Sequence, residues 1–241
     1  MRAQRRTINV LAYLIATMAI LLTLFPIVWI FTISIKTQRD AFAMPPVWVF
    51  EPVWNSYGQV WETPGFVKAF LNSIIVTLIA VWLALLVGIL AAYALNRLPF
   101  RGKRGLMIGL LLSYMFPEFL FIIPMYVLYQ KIGLYDTPIG LALVYQVFVL
   151  PFAIWLLRSF FNEVPTELDD AARIDGCNRL QTLYYVYLPL TAPGIAATAI
   201  LCAIWIWNEL TIALALTFES AQTVTVAVAG FRGYASINWG P

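Results

Sequence analysis

Five charged residues fall within ten positions of this chain: Glu167, Asp169, Asp170, Arg173 and Asp175, in the run ELDDAARIDG. Two more carboxylates, Glu118 and Glu209, stand alone inside long apolar runs. The cluster has the composition of a solvated face or of a docking element for a partner. The isolated acids pose a different problem. A charge surrounded by apolar sequence is costly in a membrane and turns toward a cavity or a partner. Histidine is absent, which removes the common His-based metal sites and His general bases. Cys177 lies beside the charged run and Cys202 in an apolar one, so a disulfide between them is not expected. No catalytic, cofactor-binding or metal-binding residue is assigned from these types.

The solvent sets the elements that must position these residues. Of 241 residues, 62% are hydrophobic and 11% charged, against roughly half and a quarter in soluble domains. The bilayer is the expected solvent. Five stretches reach the ~20 apolar residues that a spanning helix needs: 8–35, 69–95, 105–129, 137–157 and 191–216. Glu118 falls in the third and Glu209 in the fifth. The first follows Arg2, Arg5 and Arg6; it is too long for a signal-peptide core and no small-residue cleavage site follows it.

Cytoplasmic loops carry the excess of Lys and Arg. With the N-terminus in the cytoplasm, Arg2, Arg5, Arg6, Arg97, Arg101, Lys103, Arg104, Arg158, Arg173 and Arg179 lie inside. Only Lys36, Arg39, Lys68, Lys131 and Arg232 lie outside, so this orientation is preferred. Residues 163–189 then form a cytoplasmic loop. Residues 36–65, with Pro45, Pro46, Pro52, Pro64 and three Trp, form an external loop where proline prevents a long helix. Its Trp residues suit the membrane interface. The net charge of +3 says little about nucleic acid, and no such partner is expected.

Within the charged loop, Thr166 precedes Asp169 by three, a capping-box-like start with Asp in place of Glu or Gln. Helix formers run to Asp175, and Gly176 stands where a left-handed residue closes a helix. Asn178 is placed to cap a second short helix. Along it, Leu180, Leu183, Tyr184 and Tyr187 recur as an apolar face. Leu188-Pro189 is expected to end it, since the residue before proline avoids the helical region. The result is a polar projecting helix beside one seated on the bundle. An idle loop is usually shorter than this, so the build suits docking of a cytoplasmic partner.

Asp170-Ala171-Ala172, Asp175-Gly176 and Leu188-Pro189 resemble the EAA loop of bacterial ABC importer permeases. That pattern runs E-A-A, three residues, G, about nine residues, then I-x-L-P. Asp170 stands where Glu is usual, one methylene shorter. Asn72-Ser73, Pro117-Glu118 with Ile123-Pro124, Gly133-Leu134-Tyr135-Asp136-Thr137 and Trp207-Asn208-Glu209 are similar to further family motifs. Together they resemble the carbohydrate-uptake branch, specifically its maltose-permease-like second subunit, over residues 8–240.

The resemblance implies an all-α type I importer transmembrane domain, one half of a permease heterodimer. It implies two ATPase subunits that hydrolyse ATP, an external solute-binding protein, and import of a sugar or sugar-like solute across a bacterial or archaeal cytoplasmic membrane. Coupling to the ATPase falls to Glu167, Asp170, Ala171, Ala172, Arg173, Asp175, Gly176, Leu188 and Pro189. Asp170 meets a basic group there, the two alanines allow close approach, and Gly176 makes the bend. The chain has no G-x-x-x-x-G-K-[ST] phosphate loop, so it is expected neither to bind nor to hydrolyse ATP. The family has a sixth span, whereas this sequence stops at Pro241. Five spans are therefore expected, with full transport belonging to a longer form.

Trp205, Trp207, Asn208 and Glu209 offer ring faces and hydroxyl-binding groups for a sugar path. Glu209 lies roughly 22 Å along a helix from Gly194 at ~1.5 Å per residue, in the outer half of the membrane. The alternative is that Asn208 and Glu209 tie this helix to the neighbouring subunit. Glu118 is a weaker path candidate, because after Pro117 it is also placed to cap a broken helix. A self-sufficient transporter or channel, or a truncated non-transporting membrane subunit, remains as a rival. Internal repeats common in the former are absent. Residues 219–241 form an external segment, strand-like at 224–229 by alternation or else a loop touching the binding protein.

Overall fold

The computed structural model of the chain describes residues 2–231, which divide into two compact units, residues 2–66 with 230–231 and residues 67–229. Among the described residues there is no strand. Among these residues, three helices are long and apolar enough to cross a membrane, or five if each of two bent pairs is one span.

The first unit begins with α1 (Arg2–Ser34), which has no buried residue over its apolar stretch Leu11–Ser34. Lys36 anchors the chain that follows. Its Nζ donates to the Val47 carbonyl at 2.7 Å and lies over the rings of Trp29 and Phe50. That bond and those π faces offset the burial of a charge that is only 5% exposed. Two short helices, α2 (Gln38–Ala41) and α3 (Asn55–Glu62), complete the unit. Trp48 packs edge-on against Trp29, and Trp48, Trp54 and Trp61 are all exposed.

In the second unit, α4 (Phe66–Arg97) lays a stripe of small residues, Ala80, Ala84, Gly88 and Ala92, along one face. All three alanines are fully buried. A Cβ on Gly88 would stand 3.1 Å from the Leu157 side chain and 3.6 Å from Ala153. Small residues let helix backbones approach where the bilayer supplies no hydrophobic drive.

The third predicted span, 105–129, is broken. α5 (Lys103–Tyr114) and α6 (Phe119–Ile132) meet at a 95° bend. Pro117 explains the break, because it restricts Phe116 and lacks an N–H. Glu118 makes no side-chain cap there. α7 (Pro138–Asn162) is the central helix, with Leu141, Tyr145, Ala153, Leu157 and Phe161 fully buried.

The charged run forms α8 (Glu167–Ile174). Next comes α9 (Arg179–Thr182), which passes through a π turn at Leu183–Tyr187 into α10 (Leu188–Leu190). α11 (Ala192–Asn208) leaves at 78° to the Arg179–Leu190 stretch, so the chain turns at Thr191 and not at Leu188-Pro189. The wider π coil directly precedes Pro189 and accommodates a ring that an α turn would crowd. The expected apolar face is only half met: Leu183 and Tyr187 are buried, but Leu180 and Tyr184 are 68% and 64% exposed.

The fifth predicted span, 191–216, is not one helix either. α11 ends at Asn208, Glu209 is extended, and α12 (Thr211–Leu216) restarts the coil. The alternating run 224–229 is helical, α13 (Val224–Gly230), with its first amide bonded to Ser73 Oγ at 2.8 Å. The end of the external segment, 232–241, lies outside the described residues.

Candidate functional site

α8 is built to be rigid at its C-terminal end. Gly176 has φ +80°, the left-handed region that favours glycine. The Gly176 amide donates to Arg173 O at 3.1 Å and the Cys177 amide to Ala172 O at 2.9 Å. This pair of bonds is a Schellman closure. Two residues on, Asn178 and Gln181 form a reciprocal capping box that starts α9.

The N-terminal end departs from the sequence reading. Thr166 makes no side-chain cap. Asp169, expected to complete a capping box, turns inward instead. Its Oδ2 lies 3.1 Å from Arg97 Nε at the end of α4 and accepts the Tyr187 hydroxyl at 2.8 Å. Arg97 also donates to Tyr187 Oη and to Val164 O. The Tyr187 ring is fully buried between Tyr93 and Phe161, with centroids at 5.1 and 5.5 Å. Two strong donors, one of them charged, outcompete one backbone amide for the carboxylate. Sequence reading missed Arg97 and Tyr187 in this role, since the only local signal was Asp169 beside Thr166.

The candidate coupling residues divide by face. Glu167, Asp170, Ala171, Arg173, Asp175, Gly176 and Pro189 are exposed, while Leu188 is half-buried. Asp170 and Arg173 pair at 3.5 Å across the solvated surface, a contact worth at most about 1 kcal/mol that leaves the carboxylate available. Ala172 is buried and faces the chain's own core. Ile174, which sequence reading did not single out, is 86% exposed at the tip. An apolar side chain that prominent on a polar helix was legible only once the helix register was known. A polar cavity of about 300 Å³ opens between α8 and the end of α4.

Of the candidate path residues, Glu209 and Trp205 meet on Tyr145 of α7. Glu209 is buried and its carboxylate is occupied by its own chain. Oε1 accepts the Ile212 amide at 2.7 Å, and Oε2 accepts the Ala213 amide at 3.0 Å and the Tyr145 hydroxyl at 2.9 Å. It thereby satisfies first-turn amides of α12 that lack helical partners. Asn208 is exposed, with its Nδ2 bonded back to Ile204 O at 2.7 Å. Trp205 is half-buried against Tyr145 and Phe148. It lines an apolar cavity of about 250 Å³ with Tyr114, Phe148 and Phe152. Trp207 packs edge-on against Phe70. Glu118 is half-buried at the α5–α6 break.

Just before α7, Asp136 gathers the segment after α12. Its carboxylate accepts four backbone amides, from Phe218, Glu219, Ser220 and Ala221, at 2.8 to 3.2 Å. Burial pushes this carboxyl up, but the four donors outweigh it and hold the group at about 2, below the ordinary 3.8. Asn72 Nδ2 donates to Ser220 O and Gln222 O in the same segment. The Asn72-Ser73 and Asp136 motifs thus meet on one stretch of chain.

A family model for binding-protein-dependent transport system inner membrane components matches residues 84–236. The chain belongs to this family. It is 40% identical over 221 residues to the trehalose transport system permease protein SugB of Mycobacterium tuberculosis, covering 90% of this chain and 79% of that one. It is 34% identical over 218 residues to the diacetylchitobiose uptake system permease protein DasC of Streptomyces coelicolor, covering 90% and 79%. The trehalose/maltose transport system permease protein MalG of Thermococcus litoralis is 33% identical over 229 residues, covering 93% and 82%. Among solved structures, a bacterial ABC transporter involved in the import of the acidic polysaccharide alginate aligns with a TM-score of 0.76 at 29% identity. That match covers 96% of this chain and 81% of the other. The protein is a membrane permease of the carbohydrate-uptake branch of ABC importers, with the all-α type I transmembrane fold.

Proposed function

We propose that this permease is one half of a heterodimer in a bacterial or archaeal cytoplasmic membrane, with its N-terminus in the cytoplasm, importing a sugar or sugar-like solute. A second permease subunit completes the pore. Two ATPase subunits bind on the cytoplasmic side and hydrolyse the ATP, and an external binding protein delivers the solute. The excess of Lys and Arg on the α8 side supports the orientation. Relatives named for trehalose, maltose and diacetylchitobiose favour a disaccharide-sized solute.

The observation that carries the coupling role is α8 itself. It is short, polar and exposed, closed by a Schellman motif and tethered to α4 by a half-buried ion pair. A merely solvated loop needs none of these restraints. Asp170, Arg173, Ile174 and Gly176 form the docking tip, with Asp170 offered to a basic group on the ATPase. Along the solute path, the aromatic wall at Trp205 and the exposed Asn208 amide are the contacts for sugar rings and hydroxyls. Glu209 holds the break between α11 and α12 that shapes this wall, and Glu118 and Trp207 flank it.

The test is purification of tagged protein in mild detergent from its host, beside an Asp170→Ala/Gly176→Val variant. An ATPase and a second permease should co-purify with wild type, and the ATPase should be lost from the variant. A permease that comes down alone in both cases overturns the reading.

A further inference from the structure

We propose that Arg97 is a positioning residue that carries displacement of α8 into α4, acting through Asp169 and Tyr187. The proposal rests on reading α8 as the ATPase-docking helix. Arg97 is the last residue of α4, yet it contacts three separate pieces of the loop: Asp169 on α8, Val164 in the link from α7, and Tyr187 in the π turn. Tyr187 closes the triangle by donating to the same Asp169 oxygen that faces Arg97. A guanidinium holds its donors in a fixed planar fork, so it fixes direction as well as distance.

Burial makes this contact stiff. The Arg97 and Asp169 side chains are only 15% and 13% exposed, so salt and water screen their attraction poorly. The Asp170–Arg173 pair is the contrast: it is largely exposed and joins α8 only to itself. The covalent routes out of α8 lead only to its neighbours in sequence. One passes through Pro165 and the other through the left-handed Gly176. The Arg97 fork bypasses both and reaches a helix that is remote in sequence. The Tyr187 ring, wedged against Tyr93 of α4 and Phe161 of α7, gives the fork a fixed seat. The π turn sets Tyr187 in that seat. Movement of the docking tip is thus delivered to α4, whose stripe of small residues packs along α7.

Spin labels at Leu168→Cys on α8 and Leu90→Cys on α4 test this in the complex assembled with its ATPases and second permease. Cys177 is replaced by Ser, while Cys202 is fully buried and stays. The distance is measured without nucleotide and with AMP-PNP and Mg²⁺. In wild type the two helices travel together, and the distance holds within about 1–2 Å, the scale of ordinary helix shifts. In Arg97→Gln the distance changes by more than that on adding nucleotide, with the ATPase still bound. Arg97→Lys keeps the charge without the fork and gives a smaller change. Tyr187→Phe keeps the ring packing and removes the hydroxyl, which tests the latch even if Arg97→Gln assembles poorly. A purely structural role would lower yield without making the distance respond to nucleotide. A nucleotide-dependent distance in wild type, or none in Arg97→Gln and Tyr187→Phe, overturns the proposal. Retention of the ATPase by the Asp170→Ala/Gly176→Val variant would instead overturn the docking reading beneath it.

Discussion

Tyr145 of α7 donates its hydroxyl to the Glu209 carboxylate at 2.9 Å, and both residues are buried. The bond joins the central helix to the point where α11 stops and α12 begins. Removing the carboxylate strands three donors: the Tyr145 hydroxyl and the Ile212 and Ala213 amides. Each unsatisfied buried donor costs about 1–3 kcal/mol. Glu209→Ala should therefore lower the apparent melting temperature of the purified complex most. Glu209→Gln, which keeps one acceptor oxygen, should do so less. Tyr145→Phe should remove about 1 kcal/mol. If Glu209→Ala melts like wild type, the carboxylate is not holding the break. A Gln variant that melts normally but fails to transport would return Glu209 to the solute path.

Asp136 predicts an acid sensitivity with a defined window. Its folded value of about 2 lies below the ordinary 3.8. A depressed carboxylate contributes stability above its unfolded value and loses it as pH falls through the folded one. Asp136→Asn sets an amide NH₂ against four backbone donors, so it should be less stable than wild type at neutral pH. The difference should close as pH falls from about 4 to about 2. Hydrogen exchange at Phe218 through Ala221 reports the same event locally. A gap that persists unchanged below pH 2 would show that the carboxylate charge is not what gathers this segment.

Gly176 and Ile174 test the docking tip from two directions. No heavy atom lies near a Cβ built on Gly176, so Gly176→Ala meets only backbone strain at φ +80°, about 1–2 kcal/mol. Gly176→Asn should be milder, because Asn tolerates this region. Ile174→Asp leaves the fold alone, since the side chain is 86% exposed. Burying an Ile at an interface is worth about 1.5–3 kcal/mol, so ATPase affinity should fall by roughly ten- to a hundredfold. Equal ATPase recovery from wild type and Ile174→Asp would remove Ile174 from the interface.

Local rules made part of this molecule legible and long-range contacts hid the rest. Gly176 and Asn178 were readable because a cap is decided within a few residues of chain. The same logic misassigned Asp169, whose partners Arg97 and Tyr187 are remote in sequence. Hydropathy located the apolar stretches but ran through Asn208 into α12, because the acceptor role of Glu209 becomes visible only in space. Of the expected apolar face, Leu180 and Tyr184 are exposed, because Thr182, Leu183 and Tyr187 take the side that packs on the bundle. At Val224 the alternating pattern was too short to withstand a serine cap supplied by α4. The motif residues Asn72, Ser73 and Asp136 stood out in the sequence, but their meeting on residues 218–224 did not.

The start of α11 rests on a contact that permits no added atom. A Cβ on Gly194 would lie 2.4 to 2.7 Å from three carbons of the Phe160 ring. Gly194→Ala must therefore displace either the ring or the first turn of α11, just beyond the 78° bend at Thr191. Overpacking of this kind costs about 1–3 kcal/mol, although alanine alone would favour the helix by about 1 kcal/mol. The clash should win, and Gly194→Ala should lower the apparent melting temperature. Phe160→Leu on its own removes ring contacts and should also destabilise. Together the two should do less damage than their sum, because the smaller side chain makes room for the new methyl. A coupling of about 0.5–3 kcal/mol is the range for residues in contact. Strict additivity in the double mutant would show that α11 is not seated on Phe160 and that the bend is set elsewhere.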